Sequence, residues 1–145
     1  PSFGYGGYCF PKDTKQMLAN FGDIPQSLIG AIVETNPNRK QFLADEILKQ
    51  KPGSVGIFKL SMKQGSDNFR ESAVFDIADK LQQAGVTVTF FDDAVDLDEV
   101  HGISRVANFD NFVETSDIIL ANRHDKALAR CPEKVFTRDV FGGDE

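Results

Sequence analysis

The chain has 145 residues, 41% of them hydrophobic and 26% charged, the size and balance of one globular domain with a substantial core. Its net charge of −6 speaks against general nucleic-acid binding, no apolar run approaches the roughly 20 residues of a membrane span, and the first residues have neither the basic nor the apolar region of a signal peptide. The cysteines, Cys9 and Cys131, lie far apart, and without a secretory signal they read as separate thiols of a cytoplasmic protein rather than as a disulfide.

Residues 3–13 (FGYGGYCFPKD) form a glycine-rich turn with one cysteine, followed by a proline, a lysine and an aspartate. Glycines let backbone approach a ligand closely, and Pro11 suits the first position of a helix. A helix over residues 11–21 is predicted, with Met17, Leu18 and Phe21 on one side. Cys9 then sits just before the helix N-terminus, where free N–H groups favour an anionic nucleophile, and Asp13 falls in the first turn. From residue 25 to about 50, Leu28, Ile29, Ile32, Val33, Phe42, Leu43, Ile47 and Leu48 recur at helical spacing. This predicts a long central helix, suited to joining domains or packing on a second subunit, with a kink or break at Pro37. A pair of core helices is the plainer alternative.

Residues 51–53 (KPG) are a break, and 54–60 (SVGIFKL) read as a buried strand. After the polar loop 61–68, Asn68 and Glu71 fit a capping pair. The helix they open runs to about Ala84, with Ala73, Val74, Ile77, Ala78 and Leu81 on its core face and Gly85 just past its end. Residues 86–91 (VTVTFF) complete a strand–helix–strand unit of the length of a parallel crossover. An acidic loop at 92–98 and an ambiguous stretch at 99–108 follow. Then come a short helix at 109–115, a strand at 117–121 (DIILA), a loop with a short helix at 122–130, and a strand at 134–137 (KVFT). The expected fold class is α/β: a Rossmann-like, mainly parallel sheet with flanking helices, preceded by the long central helix.

Ligands of such sheets bind beyond the carboxyl ends of the strands, and Lys63, Arg70, Arg123 and Arg138 lie at or near those ends. An anionic ligand such as a nucleotide diphosphate is therefore expected. The chain has no G-x-G-x-x-G and no Walker motif, so a complete dinucleotide fingerprint is absent from it. His101 and His124 are too few and too far apart to indicate a metal site.

Three motifs now stand together: residues 6–13 (GGYCFPKD), 63–72 (KQGSDNFRES) and 137–139 (TRD). Together they resemble the UDP-glucose 6-dehydrogenase family, within the wider group of UDP-glucose and GDP-mannose dehydrogenases, in order and across essentially the whole chain. The resemblance implies that residues 1–51 are the catalytic-cysteine loop and central dimerisation helix, and that residues 52–145 are the C-terminal UDP-sugar-binding domain. It also implies that the NAD-binding domain lies upstream of Pro1, and that the chain by itself is inactive.

The family reaction oxidises the sugar C6 alcohol of UDP-glucose to the carboxylate of UDP-glucuronate with about two NAD, through a cysteine thiohemiacetal and thioester. On that resemblance Cys9 matches the nucleophile, and Asp13 a group that activates or places the hydrolytic water. Residues 2–4, Ser2, Phe3 and Gly4, match a strap along the substrate, and Met62, Lys63 and Arg138 match substrate-binding groups. Lys12 and Arg70 match contacts to NAD. The plain readings beside these are a buried core thiol for Cys9, a helix-stabilising acid for Asp13 and solvated cations for Lys12 and Arg70. The expected partners are UDP-glucose or UDP-glucuronate and a second copy of the chain, with no nucleic acid and no membrane. The alternatives are another nucleotide-sugar dehydrogenase of the group, acting on GDP-mannose or a UDP-N-acetyl sugar, and a non-catalytic nucleotide-binding module.

Overall fold

A computed structural model describes residues 2–61, 69 and 72–140. Helix α1, Cys9–Phe21, starts two residues before the expected position. The reason is that the first turn leaves its N–H groups without intrahelical partners, so a proline is tolerated at its third position as well as its first. Cys9 is thus the first residue of the helix rather than its forerunner. Asp13 lies beyond the first turn, which holds no acidic residue.

Helix α2, Leu28–Leu48, runs without interruption through Pro37. Of the kink or break expected at Pro37, the break does not occur. Lys40, Leu43, Ala44 and Ile47 anchor the second half of the helix in the core, which compensates for the backbone hydrogen bond the proline cannot make.

The sheet has six strands: β1 (Ser54–Phe58), β2 (Thr87–Phe91), β3 (Glu99–Val100), β4 (Ile103–Arg105), β5 (Ile118–Ala121) and β6 (Val135–Phe136). Their order is β3-β4-β2-β1-β5-β6. All neighbours are parallel except the edge pair β3–β4. That antiparallel pair occupies the stretch that was ambiguous in sequence. It turns on His101 and Gly102, both at positive φ (51° and 73°), the backbone of a two-residue hairpin loop. Histidine in place of the usual Asn or Asp hid the turn.

Helix α3, Ala73–Gln83, crosses from β1 to β2 and starts after Ser72; the capping pair Asn68 and Glu71 lies outside the described residues. Its far end behaves as expected. Gly85 has φ 84°, and the Val86 N–H donates to Leu81 O at 3.0 Å, which satisfies an end carbonyl of the helix.

Alternate residues of the central strands divide between two cores, as the pleat requires. Val55, Ile57, Val88, Phe90, Ile118 and Leu120 face one side, with α2 and α3. Phe58, Ile119 and Ala121 face the other, with Phe112 of helix α4 (Phe109–Thr115), Leu128 and Cys131. Leu128 and Cys131 lie in and just after the 3-10 turn Lys126–Arg130. Phe3, from the start of the chain, belongs to the first core and is 1% exposed.

Candidate functional site

The strap of residues 2–5 is held from two sides. On the α2 side, the Tyr5 N–H donates to Asn36 Oδ1 and Asn36 Nδ2 donates to Tyr5 O, each at 2.9 Å. The Tyr5 hydroxyl donates to Ile32 O at 3.3 Å, and the Arg39 guanidinium to Ser2 O at 3.4 Å. On the sheet side, the Phe3 ring stacks on Phe136 of β6, with centroids 6.5 Å apart and planes 26° from parallel. The Arg138 guanidinium lies over the same Phe136 ring, 4.5 Å from its centroid. One aromatic ring therefore links the Ser2, Phe3 and Gly4 strap to Arg138, groups more than 130 residues apart in sequence.

The residue after Arg138 is fixed as well. Asp139, its side chain 2% exposed, lies 3.8 Å from Arg123 and accepts from the His124 N–H at 3.0 Å. This ties the carboxyl ends of β5 and β6 together. At the end of β1, Lys59 (φ 60°) reaches Asp125 at 3.0 Å. Burial opposes the Lys59 charge, but the Asp125 carboxylate outweighs it and raises the ammonium's pKa. At the end of β2, buried Asp92 accepts from the Leu60 and Ala94 N–H groups, both at 2.9 Å. Met62, Lys63 and Arg70 lie outside the described residues.

Cys9, Lys12 and Asp13 occupy the exposed start of α1. Lys12 Nζ sits 3.0 Å from Asp13 Oδ1 and 5.4 Å from the centre of the Tyr8 ring. The Asp13 hydrogen bond and charge raise the Lys12 pKa. Among the described residues, none of these three forms a hydrogen bond or ion pair with Arg138. Cys9 is exposed, whereas Cys131 is buried, its thiol 3.7 Å from Leu128 O. The two thiols are separate.

Beside the glycine loop, a cleft of about 430 Å³ opens between the loop, α2 and α3. Tyr5, Asn36, Lys40, Asp76 and His101 are among the residues lining it. Across its floor, buried Lys40 bridges to Asp76 of α3.

Residues 56–140 match the model of the UDP-glucose/GDP-mannose dehydrogenase family, UDP binding domain. The chain belongs to that family. Its relatives include the UDP-glucose 6-dehydrogenases of Campylobacter jejuni, 49% identical over 99% of this chain, and Streptococcus pneumoniae, 45% identical over 98%. The chain spans 37% and 36% of their lengths. A crystal structure of a ternary complex of GDP-mannose dehydrogenase from Pseudomonas aeruginosa superposes with a TM-score of 0.75 at 28% identity, covering 88% of this chain and 33% of that one. The family's Rossmann-like sheet with flanking helices is the fold described above.

Phe136 and Asn36 escaped the sequence reading. Phe136 had a usable signal: it lies two residues before Arg138, and in extended backbone such residues share a face. Asn36 had none, because an asparagine before a proline reads as a helix break.

Proposed function

We propose that this chain supplies the catalytic-cysteine segment and the nucleotide-sugar-binding domain of an enzyme that oxidises UDP-glucose to UDP-glucuronate. What carries this reading is that two UDP-glucose 6-dehydrogenases are 45% and 49% identical along nearly the whole chain, the Cys9 segment included. Several GDP-mannose 6-dehydrogenases match it at only 25–29%. The link from the strap through Phe136 to Arg138 supports a substrate path there, because it puts a guanidinium, suited to a phosphate oxygen, next to the strap.

In this reading Cys9 adds, as the thiolate, to the C6 aldehyde formed in the first oxidation, giving a thiohemiacetal. Loss of a second hydride and of the hydroxyl proton leaves a thioester on Cys9. Water cleaves it, releasing the carboxylate and restoring the thiol. Asp13, exposed and one helical turn beyond Cys9, takes or places the proton of that water. NAD, when bound, supplies the hydride acceptor. Lys12 suits its pyrophosphate by charge and exposure, after exchanging its Asp13 partner, and Arg70 is the second candidate. Arg138, Lys63 and Met62 are the proposed groups for holding the substrate. A dimer through α2 fits the exposed Leu28 and Phe42 on that helix. Among the described residues no helix is long and apolar enough to cross a membrane.

The test uses the protein in a form that carries both this chain and an NAD-binding domain. About two NAD are expected to be reduced per UDP-glucose, and Cys9→Ser is expected to abolish turnover. Normal steady-state turnover by Cys9→Ser, or a preference for GDP-mannose, overturns the reading.

A further inference from the structure

Among the links that hold the strap leading into Cys9 to α2, one side chain acts as a peptide mimic. Asn36 both accepts from and donates to the backbone of Tyr5, at 2.9 Å each way. This is the reciprocal pair one residue makes with its neighbour in an antiparallel ladder, supplied here by a carboxamide 31 positions away. The approach is close enough to dictate the preceding residue. Gly4 has φ 122°, and a Cβ there would stand 2.6 Å from Asn36 Oδ1. Any larger residue would be strained in backbone and would collide with the carboxamide. From Tyr5 the restraint passes to the nucleophile's neighbour, because the Tyr5 ring meets the Phe10 ring edge-on at 4.7 Å. The Tyr5 hydroxyl, on Ile32 O one turn earlier in α2, prevents the loop from pivoting about the Asn36 pair.

We infer that Asn36 is a positioning residue for Cys9: its carboxamide sets the register of the glycine loop on α2 and thereby the place of the thiol at the head of α1. This rests on the reading of Cys9 as nucleophile. The family motifs carry the thiol itself, but they do not say what holds it. Here the holder is α2, whose second half is anchored in the sheet core by Leu43, Ala44 and Ile47. The loop is thereby referred to the same rigid body that carries Arg138.

The test compares wild type, Asn36→Ala and Asn36→Asp in the 145-residue chain. The readouts are amide hydrogen exchange at Tyr5 and the alkylation rate of Cys9 by iodoacetamide across the neutral pH range. In Asn36→Ala, exchange at Tyr5 is expected to accelerate at least about tenfold. Cys9 alkylation is expected to change about threefold or more, while the amides of Ile57 and Leu120 exchange as in wild type. Asn36→Asp keeps the acceptor for the Tyr5 N–H, but when ionised it sets an oxygen against Tyr5 O. Its Tyr5 protection is expected to return toward wild type as pH falls through the carboxyl range and the acid proton replaces the lost donor. A structural role remote from the loop would not produce that pH signature. If Asn36→Ala unfolds the chain, the pH response of Asn36→Asp decides. Wild-type exchange at Tyr5 in the variants overturns the inference, and so does faster exchange at Tyr5 with unchanged Cys9 alkylation. Normal turnover by Cys9→Ser would instead overturn the nucleophile reading and leave the exchange result as it stands.

Discussion

Phe3 and Phe136 stack across the interface between the N-terminal strap and the sheet edge, 6.5 Å between ring centres. Phe3 is wholly buried there, and the same Phe136 ring carries Arg138. Phe3→Ala is expected to destabilise the chain by about 3 kcal/mol. A double-mutant cycle with Phe136→Ala is expected to return a coupling of about 1 kcal/mol, read by urea unfolding. Phe136→Ala also frees Arg138 from its ring, and calorimetric titration with UDP is expected to show about threefold weaker binding.

Gly56 packs tightly against the second core. A Cβ there would lie 2.3 Å from Ser116 Oγ and 2.5 Å from the Phe112 ring. Both neighbours are buried and Ser116 Oγ is committed to Phe112 O at 2.7 Å, so neither can withdraw cheaply. Gly56→Ala is expected to cost about 3 kcal/mol, measured by thermal or urea unfolding, despite the higher strand preference of alanine. A stability equal to wild type would show that α4 moves freely off the sheet.

Asp117 joins the starts of β1 and β5. Its Oδ2 accepts from the Gly53 and Ser54 N–H groups at 2.8 and 2.9 Å. The Ser54 backbone hydrogen bond, then that of Gly53, lowers its pKa below the ordinary carboxylate value. A depressed folded pKa contributes stability that is present above the unfolded pKa and is lost as pH falls through the folded one. The stability gap between wild type and Asp117→Asn is therefore expected to be constant near neutral pH and to close as acid protonates Asp117. Urea unfolding from pH 7 down through the carboxylate range checks it, and a pH-independent gap would remove the carboxylate from the account.

The thiols differ in access. A disulfide reagent such as dithionitrobenzoate is expected to label Cys9 at once in the native chain, and Cys131 only after denaturant exposes it. Cys9→Ser is expected to abolish the native signal. Rapid native labelling of Cys131 would mean that the second core, around Leu128 and Phe112, opens readily.

Much of this protein is local and was readable along the chain. Residues 54–60 and 86–91 are β-branched and aromatic runs with a helix of 3.6-residue period between them, and a parallel crossover is the simplest way to bury all three. Gly85 ended the helix as its freedom at positive φ predicts. The motifs around Cys9 and Arg138 indicated the dehydrogenase family to which the chain belongs, because such motifs are short runs of sequence. The start of α1 and the passage of α2 through Pro37 were not readable. Local propensity says where a helix can start or break, but burial of Leu43, Ala44 and Ile47 decides whether it does. The support of the site was hidden for the same reason. Asn36 and Phe136 act on groups 31 and more than 130 residues away, and nothing in the residues beside them indicates those partners. Sequence by itself determined the family this chain belongs to and the class of its sheet. Only the tertiary structure decided which side chains hold the strap, because that depends on distances set when α2 and β6 pack on a common core.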